Sequence, residues 1–201
     1  MTGSDRKFRL ILASASPRRR ELLAQAGYVF TVEAADVDES VRVGESAAGY
    51  VLRLAEEKAQ AVFARHSTEA GPLVVLGADT TVVCDGEILA KPEDGADAKR
   101  MLRSLSARTH EVLTGVAAVT RAGTISDIEV TEVEFSRIPE MELAIYCGTI
   151  EPMDKAGAYG LQGYAARWVP RIHGCYFNVM GLPIARVVRM IEDALANSQH
   201  P

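Results

Sequence analysis

Leu73-Val74-Val75-Leu76-Gly77-Ala78-Asp79-Thr80-Thr81-Val82-Val83-Cys84 decides the reading of this chain. Its two apolar, β-branched halves read as strand, broken in the middle by Gly77-Ala78-Asp79-Thr80. Asp85-Gly86 follows, a strong hairpin signal, and Glu87 to Ala90 reads as the return strand. A carboxylate set between apolar strand runs must be paired, hydrogen-bonded or bound to a metal. Asp79 is therefore a candidate metal ligand or general base, with the hydroxyls of Thr80 and Thr81 beside it; a polar residue at a strand bend fits the same spacing. The hairpin returns Lys91, in Lys91-Pro92, toward the same end of the sheet. There a lysine can neutralise phosphate oxygens, although a surface lysine with a snorkelling stem is the commoner case.

Working back from this stretch, Ser46 opens a long amphipathic helix in which Val51, Leu54, Ala55, Ala59, Val62 and Phe63 share one face. Lys58 falls within that apolar half, and a charge there requires either a snorkelled stem or a site. Asp36-Val37-Asp38-Glu39 gathers three carboxylates after a strand read at Tyr28 to Glu33; hard oxygen donors in such a loop suit Mg²⁺, and acidic loops are also commonly just solvated. Phe8 to Ala13 reads as a short buried strand. Ser16-Pro17 then gives an N-cap and a proline at the first helical position, and Gly27 ends that helix. In Ser14-Ala15-Ser16-Pro17-Arg18-Arg19-Arg20 a strand gives way to a helix N-terminus, which favours an anion, with two hydroxyls and an arginine adding to it. A capped helix with solvated arginines fits the same residues.

Working forward, Glu93-Asp94-Gly95 starts a helix that carries Ala98, Met101, Leu102 and Leu105 inward. Val112 to Thr120 and Ile125 to Phe135 read as a hairpin across Arg121-Ala122-Gly123. Pro139 to Tyr146 reads as a short helix, Ala156 to Gly163 as a glycine-rich loop, and Pro183 to Ala196 as a terminal amphipathic helix. Strands, helices and hairpins alternate, so the class is α/β or α+β with a mixed sheet.

The chain has 201 residues, with 22 basic and 27 acidic side chains for a net charge of −5, 48% hydrophobic and 24% charged residues. A chain of this length buries roughly 70% of its unfolded surface and needs no disulfide or metal staple. The acidic balance argues against a nucleic-acid polymer as partner. It also means that any phosphate-bearing ligand must meet a local basic site. The polar start Met1 to Lys7 and the short apolar run after it do not read as a signal peptide, and no run is long enough to span a bilayer. Cys84, Cys147 and Cys175 are odd in number and lack a C-x-x-C, as reduced thiols of a cytoplasmic protein would be. His66, His110, His173 and His200 show no metal-ligand spacing. Cations (Arg18, Lys58, Lys91) and carboxylates (Asp38, Glu39, Asp79) near strand and helix ends suit metal-assisted phosphoryl chemistry, without a Walker loop, a G-x-G-x-x-G or a Ser/His/Asp order.

Read in order, several segments resemble the Maf family of nucleoside triphosphate pyrophosphatases. They are Leu10-Ile-Leu-Ala-Ser-Ala-Ser-Pro-Arg-Arg19, Val37-Asp-Glu-Ser40, Ala55-Glu-Glu-Lys-Ala59, Leu76-Gly-Ala-Asp-Thr80, Leu89-Ala-Lys-Pro92, Thr109-His-Glu-Val-Leu-Thr-Gly-Val116, Asp154-Lys-Ala-Gly-Ala-Tyr-Gly-Leu-Gln-Gly163 and Asn178-Val-Met-Gly-Leu-Pro183. The resemblance covers nearly the whole chain. It implies one domain over 1–201, a mixed twisted α/β sheet in two lobes around a deep cleft, as in inosine-triphosphate pyrophosphatases. It further implies hydrolysis of a nucleoside triphosphate to monophosphate and pyrophosphate with a divalent cation, Mg²⁺ or Mn²⁺.

Gly157-Ala-Tyr-Gly-Leu-Gln-Gly163 looks like the branch acting on dTTP and UTP; the branch acting on 7-methyl-GTP is expected to lack this Tyr and Gln. By the same resemblance Asp79 is the catalytic proton acceptor. Arg18, Thr80 and Gln162 bear on substrate choice, Lys58 and Lys91 contact the triphosphate, and Ser14 and Ser16 join Arg18 in binding it. Asp38, Glu39 and Asp79 form the expected metal set. Ser106-Ala107-Arg108 stands where the family often has a glycine, a difference expected to touch a turn and not the site. The family's link to septum formation makes a regulatory role in division the alternative class, another modified nucleotide is the alternative substrate, and a homodimer is compatible with the sequence.

Overall fold

The computed structural model describes residues 8–198; the polar start at 1–7 and His200 lie outside them. The class is α/β with a mixed seven-stranded sheet. Its strands are β1 (Arg9–Leu12), β2 (Thr31–Val32), β3 (Leu73–Cys84), β4 (Glu87–Leu89), β5 (Thr109–Thr120), β6 (Gly123–Glu134) and β7 (Arg171–His173). They run in the order β2-β1-β3-β5-β6-β7, with β4 added to β3. β1 is parallel to both β2 and β3, with Leu12 opposite Val32 and Leu76, whereas β4 on β3 and β7 on β6 are antiparallel. The chain divides into two compact units. One comprises residues 1–79, 115–128 and 181–201, the other 80–114 and 129–180.

In the first unit, α1 (Pro17–Gln25) begins as its chemistry dictates: the Ser16 hydroxyl accepts from the Arg19 N–H and Pro17 takes the first helical position. α2 (Ala47–Arg65) is capped the same way by Ser46, and its buried residues Val51, Leu54, Ala55, Lys58, Ala59 and Val62 follow a helical stripe. Ala55, Ala59 and Val62 pack on Ile11, Val75 and Ala117 of the strands. α6 (Ile184–Asn197) buries Val187, Met190, Ile191 and Ala194. The strand read at Tyr28 to Glu33 shortens to Thr31–Val32.

The expected break at Gly77 to Thr80 is absent: β3 runs without interruption for 12 residues. Gly77 explains this. A Cβ placed on it would lie 2.1 Å from the Ala55 carbonyl oxygen and 2.9 Å from Ala59 Cβ, so the glycine is there to admit the helix and not to bend the strand. Gly115 of β5 serves the same purpose one strand over, where a Cβ would stand 2.3 Å from the Val51 carbonyl oxygen.

In the second unit, Asp85 and Gly86 turn the β3–β4 hairpin with φ of 50° and 81°, the left-handed pair that matches strand twist. α3 (Gly95–Leu105) starts at Asp94, whose carboxylate accepts from the Asp97 N–H, and buries Ala98, Met101, Leu102 and Leu105. They pack with α4 (Glu140–Cys147) residues Leu143 and Tyr146, and with Phe135, Tyr159 and Trp168. Within the segment read as a loop at Ala156 to Gly163, Ala156–Ala158 forms a 3₁₀ turn; two further 3₁₀ turns (Glu151–Asp154, Tyr164–Trp168), β7 and the short α5 (Tyr176–Val179) flank it. Ala107, in the Ser106-Ala107-Arg108 turn, adopts φ 59°; a left-handed alanine costs about 1 kcal/mol, confined to this turn.

Among the cysteines, Cys84 is buried and Cys147 and Cys175 half-buried, all as free thiols. Among the described residues no helix is long and apolar enough to cross a membrane.

His110 is buried among aromatic rings, its Nε2 2.8 Å from the Tyr159 hydroxyl and its ring edge-on to Phe135. Burial pushes its pKa down to about 4, so the folded protein holds it neutral while the unfolded chain protonates it near pH 6.5. A lowered histidine pKa contributes stability above the unfolded value and loses it as pH falls toward the folded one. The expected result is a loss on the order of 3 kcal/mol between pH 7 and pH 4. Chemical denaturation at a series of pH values should show a markedly flatter profile for His110→Phe; an unchanged slope would remove His110 as the cause.

Candidate active site

Gly77 and Asp79 lie two residues apart on β3 and so face the same side of the sheet. Gly77 seats α2 on that side between Ala55 and Ala59, and Lys58 lies between those two alanines in the helix. The ammonium therefore lands on the aspartate: Lys58 Nζ donates to Asp79 Oδ1 at 2.7 Å. Both residues are buried, 7% and 8% exposed. A buried charge of either sign is stable only with its partner, and removing one member of such a pair typically costs about 3–5 kcal/mol. Glu39, exposed in the segment before α2, reaches the same ammonium at 2.5 Å. One lysine thus carries two carboxylates from different parts of the chain.

Asp38 does not join them. Its Oδ1 accepts from the Ser40 N–H at 2.9 Å, which, with the Ser40 side chain, holds the carboxyl below the usual aspartate range. Among the described residues no cluster of three His, Cys, Asp or Glu side chains could hold a metal ion, so the expected triad of Asp38, Glu39 and Asp79 reduces to a pair. The pair still suits a divalent ion of the magnesium type, which commonly takes one or two carboxylates and completes its shell with water and substrate phosphates.

The start of α1 contributes Ser14, Ser16, Arg18 and Arg19. Ser16 is committed to capping α1, and the Ser14 hydroxyl accepts from the Ser16 N–H at 3.3 Å and from Arg19 Nη1 at 3.1 Å. Arg19, not among the candidate residues of the sequence, is held by backbone on two sides. Its guanidinium donates to the Ala78 carbonyl oxygen and to the Gly181 carbonyl oxygen, each at 2.8 Å. Burial lowers its pKa from the ordinary value, opposed by the nearby Asp79 carboxylate and reinforced by Arg18. It ties the β1–α1 turn to the residue immediately before Asp79. The one signal in the sequence was a second arginine directly after the Ser-Pro cap.

The second unit holds the remaining expected residues. The Thr80 hydroxyl lies 2.9 Å from that of Thr114, and Thr114 donates to the Asn178 carbonyl oxygen at 3.2 Å. Asn178, fully buried, donates in turn to the Val112 carbonyl and to Thr131. Lys91 is exposed just beyond β4. The Ala90 carbonyl next to it accepts from the Gly157 N–H at 3.2 Å, which binds the end of the hairpin to the glycine-rich segment. Gln162 is exposed at the corner of a turn closed by the Gly163 N–H on the Gly160 carbonyl, 3.1 Å.

The family described as Maf-like protein matches residues 9–194. A dTTP/UTP pyrophosphatase of Koribacter versatilis is 54% identical over 92% of this chain and 94% of its own length. One from Hahella chejuensis is 49% identical over 95% and 94%, and one from Bacillus cytotoxicus 46% identical over 96% and 98%. A solved nucleoside-triphosphatase (dITP/XTP pyrophosphatase) from Mycobacterium abscessus aligns over 96% of this chain and 98% of its own, with TM-score 0.42 and 15% identity. The match along residues 9–194 and the relatives at 46–54% identity establish that this chain belongs to the Maf-like protein family.

Proposed function

We propose that this protein is a nucleotide pyrophosphatase that hydrolyses dTTP and UTP to the nucleoside monophosphate and pyrophosphate. The single observation that carries the reading is the buried Lys58–Asp79 pair with Glu39 on the same ammonium. It appears in a chain whose relatives at about half identity are named for this activity.

In this reading water attacks the α-phosphorus and pyrophosphate leaves. Lys58 fixes Asp79 through Oδ1, and Asp79 Oδ2 orients the water and accepts its proton. Arg18, Lys58 and Lys91 act on the phosphate oxygens, countering the charge that grows on the leaving pyrophosphate. A divalent cation, Mg²⁺ or Mn²⁺, would take Asp79 and Glu39 as protein ligands and supply Lewis-acid neutralisation of the phosphates. Arg19 keeps the backbone at Ala78 in place and with it the direction of Asp79. Gln162 has an amide donor and acceptor side by side, suited to the edge of a uracil or thymine ring, and Thr80 bears on substrate choice next to Asp79.

The test is a panel of nucleoside triphosphates with Mg²⁺ and with Mn²⁺, scored for monophosphate and pyrophosphate. The expected result is turnover of dTTP and UTP well above that of the purine nucleotides. Preference for 7-methyl-GTP, or no turnover of any nucleotide, would overturn the reading.

A further inference from the structure

Between Val32 and Ala47 no helix or strand fixes the backbone, yet Glu39 in this stretch must hold its carboxylate on Lys58. What holds it is α2. Three consecutive carbonyl oxygens of the segment accept hydrogen bonds from two α2 side chains: Asp38 from Arg53 Nη1 (3.4 Å), Glu39 from the Tyr50 hydroxyl (2.9 Å) and Ser40 from Arg53 Nη2 (3.0 Å). Arg53 also grips the far end of the segment, donating through Nε and Nη2 to the two carboxylate oxygens of Glu45 at 2.6 and 2.9 Å. Its Nη1 reaches Glu57 one turn along the helix at 3.2 Å. A planar guanidinium with five donors in a fixed fork can serve all these acceptors at once, and an ammonium cannot. The arginine and Glu45 side chains are only 12% and 11% exposed, so this is a sheltered clamp and not a solvated surface pair. Tyr50 is 4% exposed, so its hydroxyl bond to the Glu39 carbonyl is sheltered as well. Tyr50, Leu54 and Lys58 recur at intervals of four on one face of α2, so the same face that holds the Glu39 backbone also receives its carboxylate.

We propose that Arg53 is a positioning residue for the reaction: by clamping the backbone at Asp38 and Ser40 and the carboxylate of Glu45, it delivers Glu39 to Lys58. The role of Glu39 in turnover rests on the function proposed above; the clamp itself does not.

The test pairs two readouts on Arg53→Met, which keeps an apolar stem and loses the fork, with Tyr50→Phe as a milder second variant. Amide hydrogen exchange at Ser40, Arg42 and Glu45 should speed up at least about tenfold in Arg53→Met, with β3 unchanged. In steady-state assays with dTTP and Mg²⁺, kcat should fall about 10- to 100-fold in Arg53→Met. The double variant Arg53→Met/Glu39→Gln should be no slower than Glu39→Gln alone, because both act through one carboxylate. Arg53→Lys should not restore the rate. Unchanged exchange over 38–45, or kcat losses that multiply in the double variant, would overturn the assignment. Should the wild type turn over no nucleotide, the functional reading fails, and exchange over 38–45 still decides whether Arg53 is the clamp.

Discussion

Asp79→Asn is expected to lower pyrophosphate release from dTTP by about three orders of magnitude, within the range typical of a lost general base, while the protein stays folded. The substitution is close to isosteric. The Asn carbonyl can still accept from Lys58 where Asp79 Oδ1 does, at 2.7 Å, and Lys58 retains Glu39 as its ionic partner. What disappears is the ionised oxygen that accepts a proton and that offers itself to a cation. The loss should therefore fall on kcat more than on KM. The melting temperature should drop by only a few degrees, because the ammonium is not left alone. Turnover within a few-fold of wild type would remove Asp79 from its assigned role.

The largest expected effect on stability comes from a methyl group. Gly77→Ala would place a Cβ 2.1 Å from the Ala55 carbonyl oxygen and 2.9 Å from Ala59 Cβ, and Gly115→Ala one 2.3 Å from the Val51 carbonyl oxygen. Those obstacles are backbone carbonyls and an alanine Cβ fixed to the backbone, not flexible side-chain ends, so α2 itself must move away from β3 and β5. Overpacking of this kind costs about 3 kcal/mol or more, a fall of about 10 °C in melting temperature for a chain of this size. Each variant should also lose activity out of proportion to its folded fraction, since the displaced helix carries Lys58 away from Asp79. Thermal melts and initial rates on the folded protein check both parts; a wild-type melting temperature for Gly77→Ala would show that the helix is not seated on the strand.

These two predictions indicate where the sequence was legible. Caps at Ser16, Ser46 and Asp94 and the Asp85-Gly86 turn are local chemistry, and each element begins or turns where its residues say. Gly77 and Asp79 were misread as a break because their cause is not local: a glycine and a carboxylate interrupt a strand on paper, and only the helix lying on them makes both compatible with unbroken pairing. The short 3₁₀ turns and β7 have too few residues to show a period. In the site, Lys58 was visible as a charge on an apolar helix face, and it does meet Asp79 and Glu39. Asp38 looked equivalent to Glu39, but its carboxylate serves the Ser40 N–H two residues on, a local turn contact that the composition of the loop does not reveal. Arg19 and Arg53 are not marked in the sequence because each grips backbone carbonyls, which every residue owns and no motif marks.

The central claim, that water attacks the α-phosphorus and pyrophosphate leaves, is tested most directly by hydrolysis of dTTP in ¹⁸O-labelled water with mass analysis of both products. The account predicts one ¹⁸O in the nucleoside monophosphate and none in the pyrophosphate. Label in the pyrophosphate, or release of orthophosphate with a nucleoside diphosphate, would contradict it.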